Sequence, residues 1–272
     1  MRPPSPSIPE KEFLASALDQ SLRLDGRALL EMRAPELTFG SELGCVECAL
    51  GKTRVLAQVD AKMVRPPPER PYEGFITIHS EISPMASIEY EPGRPSDEEV
   101  ALSRMLDKVL RRSDAVDKEA LCVLAGQRVW HLRITIHCLA DAGNLLDCAC
   151  LAGIVALKHF RRPDVEVVGD EITIVCLFSI HQLLAPLCLS LYTISHFASP
   201  SPISLLPPRT KPLAYSTLPI LNSASAQAGG LPLAPEEILK AVGIAVGKAK
   251  ELEKFVEEKL RVDWVGRKVE VQ

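Results

Sequence analysis

The chemistry open to this chain is carried by a few small clusters of side chains. Cys45 and Cys48 stand in a CxxC, a spacing that grips zinc when a second Cys or His pair completes a tetrahedral set. No such second pair is present in the sequence. The two residues also fall in an apolar strand pattern, where positions three apart point to opposite faces. The other cysteines, at 122, 138, 148, 150, 176 and 188, lie mostly inside apolar runs with no regular spacing. They are expected to be free thiols in a reducing compartment, and neither a metal nor a cofactor is expected. Cations form the second set. Arg65 and Arg70 sit in the proline-rich RPPPERP, and Arg111-Arg112 close a helical pattern. Lys158-His159 stand just before Arg161-Arg162 at the end of another such pattern. Cations there complement the negative end of a helix dipole, and cations on a surface also hold phosphate oxygens without regard to base. His79, His131 and His137 lie on strand patterns with no Asp or Ser at a telling spacing, so structural roles are expected. His159 reads as a surface residue that complements the dipole.

The elements that position these residues follow from periodicity. From His131 to Cys138 the residues alternate, with Leu132, Ile134, Ile136 and Cys138 on one face and His131, Arg133, Thr135 and His137 on the other. That is a half-buried strand. Asp141, Gly143 and Asn144 supply turn chemistry. Leu145 to Phe160, nearly free of charge and rich in Ala and Leu, predicts a deeply buried helix, stopped by Arg161, Arg162 and Pro163. Upstream, Glu10 to Leu22 predicts a short amphipathic helix with Phe13, Leu14, Ala17 and Leu18 on one side. RLDGR at 23–27 is a polar turn whose Arg23, Asp25 and Arg27 are expected to form a buried or interfacial structural network. Strands are predicted at Glu36–Phe39, Leu43–Leu50 and Thr53–Asp60, the last two as a hairpin about Gly51-Lys52. An extended loop, Met63 to Glu73, leads to another strand, Gly74 to Ile82. Ser96 to Glu99 reads as a capping box opening a helix with Leu102, Met105, Leu106, Val109 and Leu110 on one stripe. Glu166–Ile174 offers two short strands about Gly169-Asp170.

Composition sets limits. A chain of 272 residues with 24% charged residues and a net charge of -4 can build one large domain or two small ones. A polyanionic partner would need local basic patches, since net charge repels it. Residues 1–9 are proline-rich and expected to be disordered. Between Glu171 and Glu236 there is no acidic residue, and the cations are Arg209 and Lys211. Its first part is apolar, yet Pro186, His181, Gln182 and His196 argue against a membrane span. From Pro235, a first helical residue followed by Glu236-Glu237, a helix resumes with Ile238, Val242, Ala245, Ala249, Leu252 and Val256 on its stripe. Its Lys- and Arg-bearing tail is expected to be exposed.

Six motifs occur in order: RLDGR at 23–27, LGKTRVLAQV at 50–59, EPGRPSD at 91–97, EALCVLAGQRVWHLRI at 119–134, DAGNLLDCA at 141–149 and ALKHFRRPDV at 156–165. Together they resemble the RNase PH-like subunits of the eukaryotic RNA exosome ring, most closely the polymyositis–scleroderma autoantigen type. The resemblance covers residues 10–174 and resumes more weakly at 226–262. It implies an α+β, RNase PH-like fold of mixed sheets packed with helices in two similar halves. Six such subunits form a ring whose pore admits single-stranded RNA. The expected organisation is a disordered 1–9, an RNase PH-like first half at 10–174, an atypical Ser/Pro-rich apolar segment at 175–225, and a C-terminal helical part at 226–272. The second half is therefore atypical or degraded: a retained intron or mis-spliced gene model would give 175–225 its composition, and the alternative is a genuine variant with half a domain replaced.

The resemblance also bears on activity. Active relatives cleave RNA by phosphorolysis, with cations holding phosphate and an Asp as acid near the end of the helix after the glycine turn. That place reads Lys158 or His159 here, and Asn144-Leu145-Leu146 replaces the active type's second glycine and Thr-Arg pair. Asp147 lies too early in the helix to take over. No catalytic residue is expected. The implied role is a non-catalytic ring subunit that supports 3′–5′ RNA processing and decay, including rRNA maturation and mRNA turnover. The alternative is an active phosphorolytic 3′–5′ exoribonuclease. Arg111 matches a position at which inert ring subunits present an arginine to the phosphate backbone, Arg112 adjoins it, and Arg65 and Arg70 lie in a loop that faces the pore in the family. These four are the expected RNA contacts. The implied partners are other ring subunits, cap subunits and single-stranded RNA, with no membrane. The implied compartments are nucleus, nucleolus and cytoplasm.

Overall fold

The structure, a computed structural model, describes residues 7–23, 25–87, 90, 93, 95, 97–111, 116–162, 164–168, 171–175 and 235–267. Its elements run α1 (Ile8–Asp19), β1 (Pro35–Phe39), β2 (Cys45–Leu50), β3 (Thr53–Val64), β4 (Phe75–Ile82) and α2 (Asp97–Leu106) with a π turn (Asp107–Arg111). A short 3-10 turn (Glu119–Leu121) leads to β5 (Cys122–Leu124), β6 (Arg128–Ala140), α3 (Leu145–His159), β7 (Asp164–Val168), β8 (Glu171–Val175) and a last helix, α4 (Pro235–Gly266).

The sheet is built around the strand that alternation marks most clearly. In β6 the side chains of Leu132, Ile134, Ile136 and Cys138 have no exposed surface. β6 pairs along its length with β3, antiparallel from Val64↔Val129 to Arg54↔Ala140, and with β4, parallel from Phe75↔His131 to Ile82↔Cys138. The strand order is β1-β2-β3-β6-β4, with β5 on β6, so the sheet is mixed. β3 reaches Val64, four residues past the predicted Asp60, because β6 continues opposite it and Ala61 and Met63 keep the alternation on the core side. β2 starts at Cys45 and not at Leu43, since Gly44 has φ +90, outside the extended region. β7 and β8 pair with each other.

α3 lies on the sheet. Every residue of it except Leu146 is buried, as expected of a helix with no hydrophilic face. At about 1.5–3 kcal/mol per large apolar side chain, its Leu and Ile residues anchor the core. α2 and its π turn pack beside it, burying Leu102, Leu106, Val109 and Leu110. The π turn lets the adjacent Val109 and Leu110 both face inward. Ser96, the first residue of the predicted capping box, lies outside the described residues, as does the Gly169-Asp170 turn. α4 adds Ala245, Ala249, Leu252, Val256 and Leu260, all buried at helical spacing. Of the remaining predicted segments, 1–6 and 176–234 lie outside the described residues.

Three expectations change. α1 forms, closed by its Ser7–Glu10 capping box, but none of its residues is buried and Phe13 is 63% exposed. Its apolar side meets no core among the described residues. The RLDGR network is not buried within the chain but lies at its surface, which corrects the buried half of the buried-or-interfacial expectation: Arg23 donates to Leu29 O at 2.6 and 3.0 Å, and Arg27 pairs with Asp25 at 2.6 Å. A five-residue turn with three charges can close on itself without a buried partner. The tail is not wholly free either, because half-buried Arg267 donates to the carbonyls of Gly40 and Ser41.

Candidate nucleic-acid interface

Arg65 and Arg70 lie in the connection from β3 to β4. Buried Pro66 roots it, and a turn closes where Arg70 N donates to Pro67 O at 3.1 Å. Its far end is pinned by Gly126 N to Pro71 O at 3.0 Å and Gly74 N to Lys118 O at 2.9 Å. Gly74 must be glycine. A Cβ there would stand 2.3 Å from Leu121 Cβ and 2.7 Å from Trp130 O. Both arginines are exposed. Arg70 is 3.2 Å from Glu73, a surface pair with the arginine side chain 70% exposed, which leaves its guanidinium open to solvent. Arg65 has no ion-pair partner among the described residues.

Arg111 ends the π turn, on a different element. Its guanidinium is held by Asp107, at 2.5 Å from Nε to Oδ1 and 2.8 Å from Nη2 to Oδ2. That bond, with little burial to oppose it, holds its pKa up and keeps the group cationic. Arg112 lies outside the described residues. The structure therefore brings Arg65 and Arg70 together on one loop, with Arg111 elsewhere.

The end of α3 differs from expectation. His159 has no exposed surface, so it is not a surface residue capping a dipole. Its Nδ1 accepts a hydrogen bond from Gly44 N–H at 3.1 Å, and its Nε2 lies 3.2 Å from Asp263 Oδ2, off the line of a good hydrogen bond. Phe39 and Trp264 flank the ring at centroid distances of 4.9 and 5.8 Å. Asp263 is itself gripped by Arg267 at 2.6 Å. Gly44 is obligatory here, for its φ of +90 and because a Cβ would meet Phe160 Cδ2 at 2.9 Å. Burial first, then the charge of Arg267, pushes the His159 pKa down, while Asp263 opposes. Lys158 is also buried, and Arg161 covers the Trp264 ring at 4.7 Å. The cluster ties α3 to α4 and to the β1–β2 connection. Gly44 could have been suspected as the glycine interrupting a strand pattern, and Asp263–Arg267 as an i,i+4 pair. Nothing in the sequence joins either to His159.

The thiols behave as core atoms. Cys48 faces inward and Cys45 is half-buried, the alternate placement that strand geometry predicts. The Cys148 side chain, by hydrogen bonding, and then burial push the Cys48 thiol far up, and burial pushes Cys138 up to about 12. Among the described residues no group of three His, Cys, Asp or Glu side chains is placed to hold a metal ion. None of their helices is long and apolar enough to cross a membrane.

Residues 31–163 match the 3′ exoribonuclease family, domain 1 (RNase PH). The exosome complex component RRP45 of Danio rerio is 36% identical over 273 residues, covering 95% of this chain and 68% of that protein. The chain belongs to the RRP45 family of exosome components. The rrp45 component of Schizosaccharomyces pombe is 45% identical over 168 residues, 62% of this chain and 58% of that protein. The Bos taurus RRP45 is 37% identical over 273 residues, 95% of this chain and 61% of that protein. The chain thus spans about three fifths of the length of these last two relatives. Among solved structures, an Archaeoglobus fulgidus exosome with RNA bound to the active site superposes with TM-score 0.63 at 24% identity, over 90% of this chain and 97% of that one. That likeness establishes the RNase PH-like α+β fold.

Proposed function

We propose that this RRP45-family chain is a structural and RNA-contacting subunit of the RNA exosome ring, without catalytic activity of its own. In this reading it supports 3′–5′ processing and decay of RNA, including rRNA maturation and mRNA turnover, in the nucleus, nucleolus and cytoplasm. Its partners are other RNase PH-like ring subunits, cap subunits and single-stranded RNA. The observation that carries the reading is the state of the α3 terminus, where the family resemblance leads one to look for a general acid. Lys158 is buried there, and both nitrogens of fully buried His159 face protein groups. That burial supports the reading that neither serves as general acid to a leaving oxygen. Asp147 is equally buried, a full helix away. Exposed Arg65, Arg70 and Arg111, with Arg112, supply phosphate contacts whose strength falls with salt and ignores base identity.

The test is phosphorolysis by the purified chain. With single-stranded RNA and inorganic phosphate, release of nucleoside diphosphates stays at the level of a no-enzyme blank. Phosphate-dependent release by the isolated chain overturns the reading and makes it an exoribonuclease in its own right.

A further inference from the structure

The two faces of the sheet differ. α2 and α3 cover the inner face, whereas the outer face carries alternate residues of β3, β6 and β4 in rows fixed by the register. Lys62, His131 and Phe75 share one row, and Asp60, Arg133 and Thr77 the next. Lys62, Arg133 and Thr77 are exposed, and the two rings are half-buried. Phe75 and His131 stack, with centroids 4.2 Å apart and planes at 25°. Thr77 Oγ1 is 2.8 Å from His131 Nε2 and holds the imidazole in that plane. Both rows lie beside the 65–74 loop that carries Arg65 and Arg70.

We propose that this outer face, where β3, β6 and β4 meet the 65–74 loop, is a platform for single-stranded RNA, with Phe75–His131 as the base-stacking surface and Lys62 and Arg133 as phosphate contacts. The inference rests on the RNA-contacting reading above and assigns it a surface. A flat ring pair between cations is the combination that takes an unpaired base and its backbone, because every base has a π-face and every linkage a negative charge. Charge complementarity favours a polyanion. Neither Lys62 nor Arg133 has an ion-pair partner among the described residues, and Asp60 is the one acid in the two rows. The register sets Lys62 opposite His131 and Arg133 two residues along β6, and burial, then Arg133 and Lys62, lowers the His131 pKa, which favours the neutral ring. A neutral ring stacks without competing for phosphate.

The test is fluorescence anisotropy of the full chain with a labelled oligouridylate across a salt series. Lys62→Glu and Arg133→Glu are each expected to weaken binding and to lower the slope of log affinity against log salt by about one. His131→Ala is expected to weaken it about fivefold to 150-fold, the effect of losing one stacked base. Its melting temperature is measured alongside, and the two exposed charge reversals decide the matter if that variant is destabilised. The double variant Arg65→Glu/Arg70→Glu separates the two ideas. If the loop variant loses affinity while the sheet variants bind like the unmodified chain, the platform is overturned and the ring-subunit reading stands. If the unmodified chain shows no salt-sensitive affinity, both are overturned. If the charge reversals leave RNA affinity unchanged and alter the sedimenting mass, the face is a protein interface and the platform is again overturned.

Discussion

His159 shows how one residue can look functional in a sequence and be structural in a fold. Its Nδ1 is committed as an acceptor to Gly44 N–H, so protonation would replace a lone pair by a second proton and set two donors against each other. It would also place a cation beside Arg267 and Arg161 in a dry site, with Asp263 the compensating charge. The folded pKa is therefore below the unfolded value of about 6.5. The unfolded chain then binds the extra proton first as pH falls. The stabilisation is complete above about pH 6.5 and is lost as pH drops from there toward the folded pKa, with a slope of at most about 1.4 kcal/mol per pH unit. Urea midpoints measured between about pH 5 and 8 should fall on the acid side for the native chain, and less steeply for His159→Gln, which cannot titrate. Equal slopes in the two proteins would remove His159 as the cause. The sequence offered a histidine between cations, and the dipole reading took the near neighbours as its environment. The groups around it that are not sequence neighbours, Gly44, Asp263 and Arg267, are each more than a hundred residues away in the chain.

Elements were legible where one period dominated. β6 and α3 could be read directly, because alternation and an uncharged Ala/Leu run each admit one burial pattern. Their packing order was not legible, since a parallel β4–β6 pairing arises from which strand edges remain open. The π turn at Asp107–Arg111 was invisible for a similar reason, as helical spacing is nearly unchanged over one turn. α4 is the informative case. Its stripe was readable, yet its partner was not, and the contacts place Leu252, Val256 and Leu260 in the same core cluster as α3. Leu252→Ala is expected to cost about 2–5 kcal/mol in urea unfolding, through lost burial and an unfilled cavity. Val262→Ala, at a side chain 63% exposed, should stay within about 0.5 kcal/mol. Were α4 only loosely attached, the two variants would unfold alike.

At the scale of the molecule the matter is how residues that match the RNase PH model, 31–163, pack with the C-terminal helix α4. The core already joins them: α4 contributes to the α3 cluster, and Arg267 reaches the carbonyls of Gly40 and Ser41, at the far end of the sequence. Among the described residues, docking of α4 is thus encoded on both sides of 176–234. The stretch has its own consequence for assembly. From Glu171 to Glu236 the sequence carries no acid between its ends and only Arg209 and Lys211 as cations, so under the ring-subunit proposal it offers few charges for ion pairs with a neighbour. Co-expression of this chain with the other five ring-subunit types of its relatives, followed by size-exclusion chromatography, tests the two contributions separately. If the first half and α4 suffice, a stoichiometric ring elutes with this chain in it. If 175–225 is a retained intron, this chain stays out of the ring, while a version carrying a relative's segment in its place enters it. Because Leu252, Val256 and Arg267 are identical in both versions, exclusion of one alone assigns the defect to the segment and leaves the docking of α4 intact.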